Sequence, residues 1–176
     1  MIPHNTDPKR IAVFTGTFDP LTLGHLDVIR RGCQLFEHVV VGIGVNPNKS
    51  SLFDIEERVE LARLVVAPFT NVSVESFEGL AVQFVRRIGA GVILRGLRTL
   101  SDMEYEFGMT LTNHRLDPSI DTVFLMADAE YSHVSSSLIK QVARFGGPEG
   151  LRRFVPDELV APILAKVATA DGDLTA

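Results

Sequence analysis

At 176 residues the chain is long enough for one substantial core and too short for two full domains. Apolar residues at 45% and charged ones at 22% are ordinary for a soluble globular protein. The formal net charge of −5 argues against a general nucleic-acid binder, which needs a basic footprint, but leaves room for a small anionic ligand held by local cations.

Taken in order, strand-like and helix-like stretches alternate. Arg10 to Phe14 reads as a short buried strand, after which Leu26, Ile29, Cys33 and Phe36 recur at helical spacing. Cys33 has no partner for an internal disulfide and falls in that apolar set, so a buried, inert thiol is expected. His38 to Val45 is β-branched and reads as a second strand. Asp54 and Glu57 form a cap and third-position acceptor, opening a helix with Ile55, Val59, Ala62 and Val66 on one face. Asn71 to Ser76 is the third strand, Leu80 to Ile88 a helix, and Gly91 to Arg95 the fourth strand. Ser101 and Glu104 have capping-box spacing and introduce a helix to about Arg115. Asp121 to Met126 is the fifth strand, Ser135 to Phe145 a helix, and Pro156 suits the first position of the last one.

This alternation predicts an α/β fold: one doubly wound, Rossmann-like domain with a five-stranded parallel sheet over residues 10–167, between tails at 1–9 and 168–176. The N-terminus has no apolar core of a signal peptide, and no apolar run approaches the roughly 18 residues of a membrane span. A cytoplasmic protein with no membrane and no nucleic-acid partner is expected.

In doubly wound sheets ligands bind beyond the carboxyl ends of the strands. The segments there are GTFDPLTLGH after the first strand, Asn46-Pro-Asn-Lys49 after the second, Arg95-Gly-Leu-Arg98 after the fourth and Tyr131-Ser-His-Val-Ser-Ser-Ser137 after the fifth. Together they supply histidine, lysine, arginines, serines and a helix start, which is the chemistry of a phosphate site. Gly16 and Gly24 let backbone amides approach an anion. Neither GxGxxG after a strand nor GxxxxGK[ST] occurs. Each feature has a plainer reading. His25 can be a helix cap and the serines an N-cap, Arg95 and Arg98 can bridge Asp102 or Glu106, and Asp19-Pro20 can be only a turn.

GTFDPLTLGH and YSHVSSSLIK together resemble the nucleotidyltransferase superfamily marked by an [HT]-x-G-H motif and a serine-rich second motif. Asn46-Pro-Asn-Lys49, Leu52-Phe-Asp-Ile-Glu-Glu-Arg58 and Arg95-Gly-Leu-Arg-Thr-Leu-Ser-Asp-Met-Glu-Tyr-Glu106 look like bacterial phosphopantetheine adenylyltransferases, over nearly the whole chain from Arg10 to Lys166.

The resemblance implies transfer of the adenylyl group of ATP to 4′-phosphopantetheine, with magnesium, by a homohexamer. It implies His25, Lys49 and Arg95 as catalytic residues. Thr17, Phe18, Gly96, Leu97, Arg98 and Glu106 would join His25 on ATP, with Tyr131, Ser132, His133, Val134, Ser135, Ser136 and Ser137 as the loop around it. Thr17, Lys49, Ala81 and Arg95 would hold phosphopantetheine. A nicotinate-mononucleotide adenylyltransferase, a cytidylyltransferase for a small phosphorylated alcohol, and a non-catalytic adenine-nucleotide-binding regulator are the alternatives. The chain departs from the resemblance at His133, where an aromatic residue is expected, at the small Ala81, and in the extension before Lys9.

Overall fold

The computed structural model describes residues 7–45, 51–131 and 133–172. Lys49 and Ser132 fall outside them, as do the ends of both tails.

The five expected strands are β1 (Ile11–Gly16), β2 (His38–Gly44), β3 (Val72–Phe77), β4 (Val92–Leu97) and β5 (Asp121–Met126). They form one all-parallel sheet in the order β3-β2-β1-β4-β5. The connecting helices are α1 (Leu23–Leu35), α2 (Ile55–Val66), α3 (Ala81–Ile88) and α4 (Leu100–Leu116), followed by α5 (Ser136–Phe145), α6 (Gly147–Leu151) and α7 (Asp157–Gly172).

Strand side chains alternate between faces, and β1 divides its residues accordingly. Ala12 and Phe14 join a core with Val28 and Ile29 of α1, Ala62 and Val65 of α2, Ile139 of α5 and Ile163 of α7. Ile11 and Val13 join a second core with Val82, Phe84 and Val85 of α3. Helices therefore cover both faces, which is why β1, β2 and β4 read as unbroken apolar runs. The chain leaves β1 toward β2 on one side and meets β4 on the other, so the switch point lies at the carboxyl ends of β1 and β4.

The helix starts follow local chemistry. Asp54 and Glu57 form the expected capping box, with Glu57 N–H donating to Asp54 Oδ1 at 2.8 Å and Asp54 N–H to Glu57 Oε2 at 2.9 Å. α4 starts earlier than the Ser101 and Glu104 spacing suggested. Thr99 is its cap, accepting from Asp102 N–H at 3.1 Å, because Asp102 is drawn back toward Arg98 at the turn.

Three boundaries also differ. β1 and β4 run past Phe14 and Arg95 to Gly16 and Leu97, since Gly16 pairs with Ile43 and Leu97 with Met126 in the ladder. The last helix extends to Gly172, into the expected tail, and Pro156 stands just before its first residue. At the other end the 3₁₀ turn Pro8–Arg10 is tied to the sheet by Gly91 N–H donating to Pro8 O.

Candidate active site

At the switch point lies a cavity of about 280 Å³. The exit of β1 contributes Thr15 to Phe18, and α1 contributes Gly24, His25 and Val28. β4 contributes Arg95 and Gly96, with Arg98 just beyond, and α4 contributes Asp102 and Glu106. The far wall is Val134, Ser135 and Ser136 at the start of α5.

The first motif is folded around His25. Thr22 caps α1, its Oγ1 accepting from His25 N–H at 3.3 Å. The Thr22 backbone N–H donates to His25 Nδ1 at 3.0 Å. A backbone amide can only donate, so Nδ1 is the unprotonated nitrogen and the neutral ring carries its proton on Nε2. Phe18 packs edge-on against the imidazole at 5.1 Å between centroids, and Phe14 lies at 6.2 Å. Burial in this cage, aided by the charge of Arg98, lowers the His25 pKa to about 4. His25 is thus part of the helix cap and of the cavity wall at once: the cap hydrogen bond sets the tautomer that the cavity sees.

Gly16 is required by this packing, because a Cβ there would come within 2.9 Å of the Phe18 ring. Phe18 itself takes a positive φ of 45°, a conformation that costs a side-chain-bearing residue about 1 kcal/mol or more and recurs at functional turns.

Both expected arginines are engaged by carboxylates of α4. Arg98 makes a two-pronged contact with Asp102, Nε to Oδ2 at 3.0 Å and Nη2 to Oδ1 at 3.2 Å, and Nη1 donates to Val134 O at 2.7 Å. Arg95 Nη1 donates to Thr15 O at 2.7 Å, and its Nε lies 3.1 Å from Glu106 Oε2. That last contact is an ion pair without hydrogen-bond alignment; among the described residues Glu106 Oε2 and the buried Thr15 Oγ1 have no hydrogen-bond partner.

The serine run divides its labour. Ser135 caps α5, accepting from Leu138 N–H at 3.2 Å, while Ser136 Oγ donates to Pro20 O at 3.1 Å. Ser137 is exposed in the first turn and does not line the cavity.

Thus Thr17, Phe18, His25, Arg95, Gly96, Arg98, Glu106, Val134, Ser135 and Ser136 share one cavity. Other expected residues do not reach its wall. Leu97 is turned into the sheet and is 3% exposed. Tyr131 packs against the main core, and His133 is exposed with its ring edge-on to Phe154 at 5.8 Å. Ala81 opens α3 and packs with the second core.

Two residues that the sequence reading left aside hold the frame. Asp19, 2% exposed, accepts from Leu52 N–H, Phe53 N–H and, at 2.7 Å, Lys140 Nζ of α5. Arg58 of α2, 5% exposed, donates to Thr17 O at 2.9 Å, Gly44 O at 3.3 Å and Asp54 O at 3.2 Å. Thr22 is the third omission, although its three-residue spacing to His25 is the capping-box spacing. Cys33 is half-buried rather than buried, and that partial burial pushes its thiol up to about 11, which keeps it protonated at neutral pH.

Residues 13–142 match the family model described as Cytidylyltransferase-like. The phosphopantetheine adenylyltransferase of Rhodopirellula baltica is 52% identical over 159 residues, covering 90% of this chain and 89% of that one. That of Clostridium tetani is 53% identical over 156 residues, covering 89% and 96%. Among solved structures, the Plasmodium falciparum nicotinic acid mononucleotide adenylyltransferase complexed with NaAD gives a TM-score of 0.64 at 11% identity, over 92% of this chain and 95% of its own, a likeness of fold alone. With a family model spanning most of the domain and relatives half identical along almost their full length, the chain belongs to the phosphopantetheine adenylyltransferases of the cytidylyltransferase-like family.

Proposed function

We propose that the chain transfers the adenylyl group of ATP to 4′-phosphopantetheine, giving dephospho-coenzyme A and pyrophosphate, a step in coenzyme A biosynthesis. Beyond the kinship, the observation that carries this reading is His25: a neutral imidazole with its Nε2 proton free, set in the same cavity as two arginines and a helix start.

The acceptor is a phosphate monoester, already anionic at pH 7, and needs no base to activate it. One of its oxygens bonds to the α-phosphorus of ATP while the bond from that phosphorus to the β-phosphate oxygen breaks, so pyrophosphate leaves in line. No covalent enzyme intermediate is needed. The barrier lies in bringing anions together and stabilising charge on the α-phosphate oxygens, which is work for positioning and fixed donors. His25 Nε2–H is such a donor, and its hydrogen bond strengthens as charge builds on the α-phosphate oxygens during the reaction. Arg95, oriented by Glu106, serves the acceptor side together with Lys49 and Ala81, while Thr17 faces both substrates. Arg98, oriented by Asp102, serves ATP with Phe18, Gly96, Val134, Ser135 and Ser136.

Magnesium belongs to the reading as the partner of the ATP phosphates, where it offsets their charge. Among the described residues no three His, Cys, Asp or Glu side chains gather as a cation cage, which suits an ion carried on the nucleotide. A homohexamer is supported by α4, whose Leu100, Tyr105, Phe107 and Leu111 are all more than half exposed and which buries only Asn113. A cytoplasmic setting is in keeping with helices of which none, among the described residues, is long and apolar enough to cross a membrane.

Pyrophosphate release from ATP with 4′-phosphopantetheine tests the reading, run beside ATP with nicotinate mononucleotide and CTP with a small phosphorylated alcohol. Turnover is expected with the first alone. Preference for another acceptor, or tight ATP binding with no turnover on any, overturns it.

A further inference from the structure

Arg58 ends the stretch Leu52-Phe-Asp-Ile-Glu-Glu-Arg58, to which the reaction as described gives no task. It sits behind the cavity rather than in its wall. Among the described residues its three hydrogen bonds all go to backbone carbonyls, and the most telling is to Thr17, at the mouth of β1. The carboxylates beside it in sequence are otherwise occupied. Asp54 caps α2, and Glu57 holds Lys166 Nζ at 2.6 Å.

The comparison with the cavity's own arginines is informative. Arg95 and Arg98 are each matched by a carboxylate, Glu106 and Asp102, so each pair is close to neutral. Arg58 forms no ion pair among the described residues. Carbonyl oxygens solvate a guanidinium without cancelling its charge, and a guanidinium is a permanent cation. Burying one is costly unless something compensates. Phosphates arriving on the far side of Thr17 supply that compensation, across a medium that screens far less than water.

Resting on the function proposed above, we infer that Arg58 is a positioning residue that fixes the Thr17 backbone and lends the phosphate site an unneutralised positive charge from behind. It touches neither substrate. Its effect on binding therefore grows with the number of phosphate charges on the nucleotide, whereas a purely structural role would weaken all nucleotides alike.

The test is binding of ATP, ADP and AMP by calorimetry to the full-length wild type, Arg58→Met and Arg58→Lys, with thermal melts alongside. For Arg58→Met the ATP dissociation constant is expected to rise about tenfold or more, that of AMP about threefold or less, and that of ADP between them. Arg58→Lys keeps the charge and is expected to hold the ATP-to-AMP affinity ratio within about threefold of wild type. Equal weakening of all three nucleotides in Arg58→Met, or no weakening, overturns the inference. Should Arg58→Met fail to fold, Arg58→Lys decides, and a ratio that falls about tenfold overturns it. A graded series in a wild type that does not turn over 4′-phosphopantetheine sinks the function and leaves the role of Arg58. Turnover with a flat series does the reverse.

Discussion

The backbone N–H of Thr22 donates to His25 Nδ1 at 3.0 Å, so the helix cap leaves the Nε2 proton of the imidazole for the cavity. This makes His25 a neutral donor with a fixed direction. His25→Ala is expected to lower kcat about a hundredfold to a thousandfold, the usual loss for a transition-state donor, while the KM for ATP moves only a few-fold. Steady-state kinetics of pyrophosphate release checks this. A raised KM with unchanged turnover would mean that His25 binds ground-state ATP instead.

The same ring makes a prediction about pH. Burial, then the charge of Arg98, lowers its pKa in the folded protein to about 4 from the ordinary 6.5. Between those values the unfolded chain holds a proton that the folded one does not, so this contribution to stability is full above about pH 6.5 and is lost as the pH falls toward 4. In His25→Gln that contribution disappears, and the melting temperature is expected to fall less steeply with acid than in wild type. Ring-proton shifts of the ligand-free protein should place the His25 midpoint below pH 5; a midpoint near 6.5 would show that the aromatic cage does not exclude the proton.

Gly16→Ala tests the cage itself. The new methyl would stand 2.9 to 3.2 Å from three atoms of the Phe18 ring, which is already braced against His25. Overpacking of this kind costs about 1–3 kcal/mol, and turnover should fall with stability because the displaced ring carries the imidazole with it. An alanine variant with wild-type melting and kinetics would show that the ring moves freely.

How much of this was legible beforehand depended on the range of the contacts. β1, β2 and β4 showed in local composition because both faces of the sheet are covered there. Their ends did not: Thr15 and Gly16 look like turn residues, and only pairing with Gly42 and Ile43 keeps them in the ladder. The start of α4 was ambiguous because Thr99 and Ser101 both have an acid three residues on, and the contact of Asp102 with Arg98 decides between them. Asp19 read as a turn and Arg58 was given no role of its own, since the partners that bury them lie 33 to 121 and up to 41 residues away. The motif residues were visible, as was the serine N-cap that Ser135 supplies, but not that Leu97 is buried or that Ser136 donates to Pro20 O.

Asp19→Ala follows from that frame. It strips three donors of their acceptor and leaves Lys140 facing a void where a buried carboxylate was. Leaving a buried donor without its acceptor costs about 1–3 kcal/mol, or a melting temperature lower by roughly 2–12 °C in a chain of this size. A loss under about 1 kcal/mol, the worth of an exposed ion pair, would show that Asp19 is not the hub its burial suggests.

Assembly has its own test. Phe107 is 59% exposed on a helix that buries almost nothing of itself. Phe107→Glu is expected to shift the chain to smaller species in light scattering without lowering its helix content. An unchanged mass would remove α4 from the subunit contact.

The bonds from Ser136 to Pro20 and from Lys140 to Asp19 join segments 116 and 121 residues apart. During synthesis the first motif is complete by His25, yet the wall that closes its cavity is made only when α5 emerges. A ribosome-held chain that stops short of α5 therefore carries the motif without the far wall of its cavity. The cavity is therefore whole only in a molecule whose first motif and α5 have already met, and a ligand that binds there would stabilise that joined state.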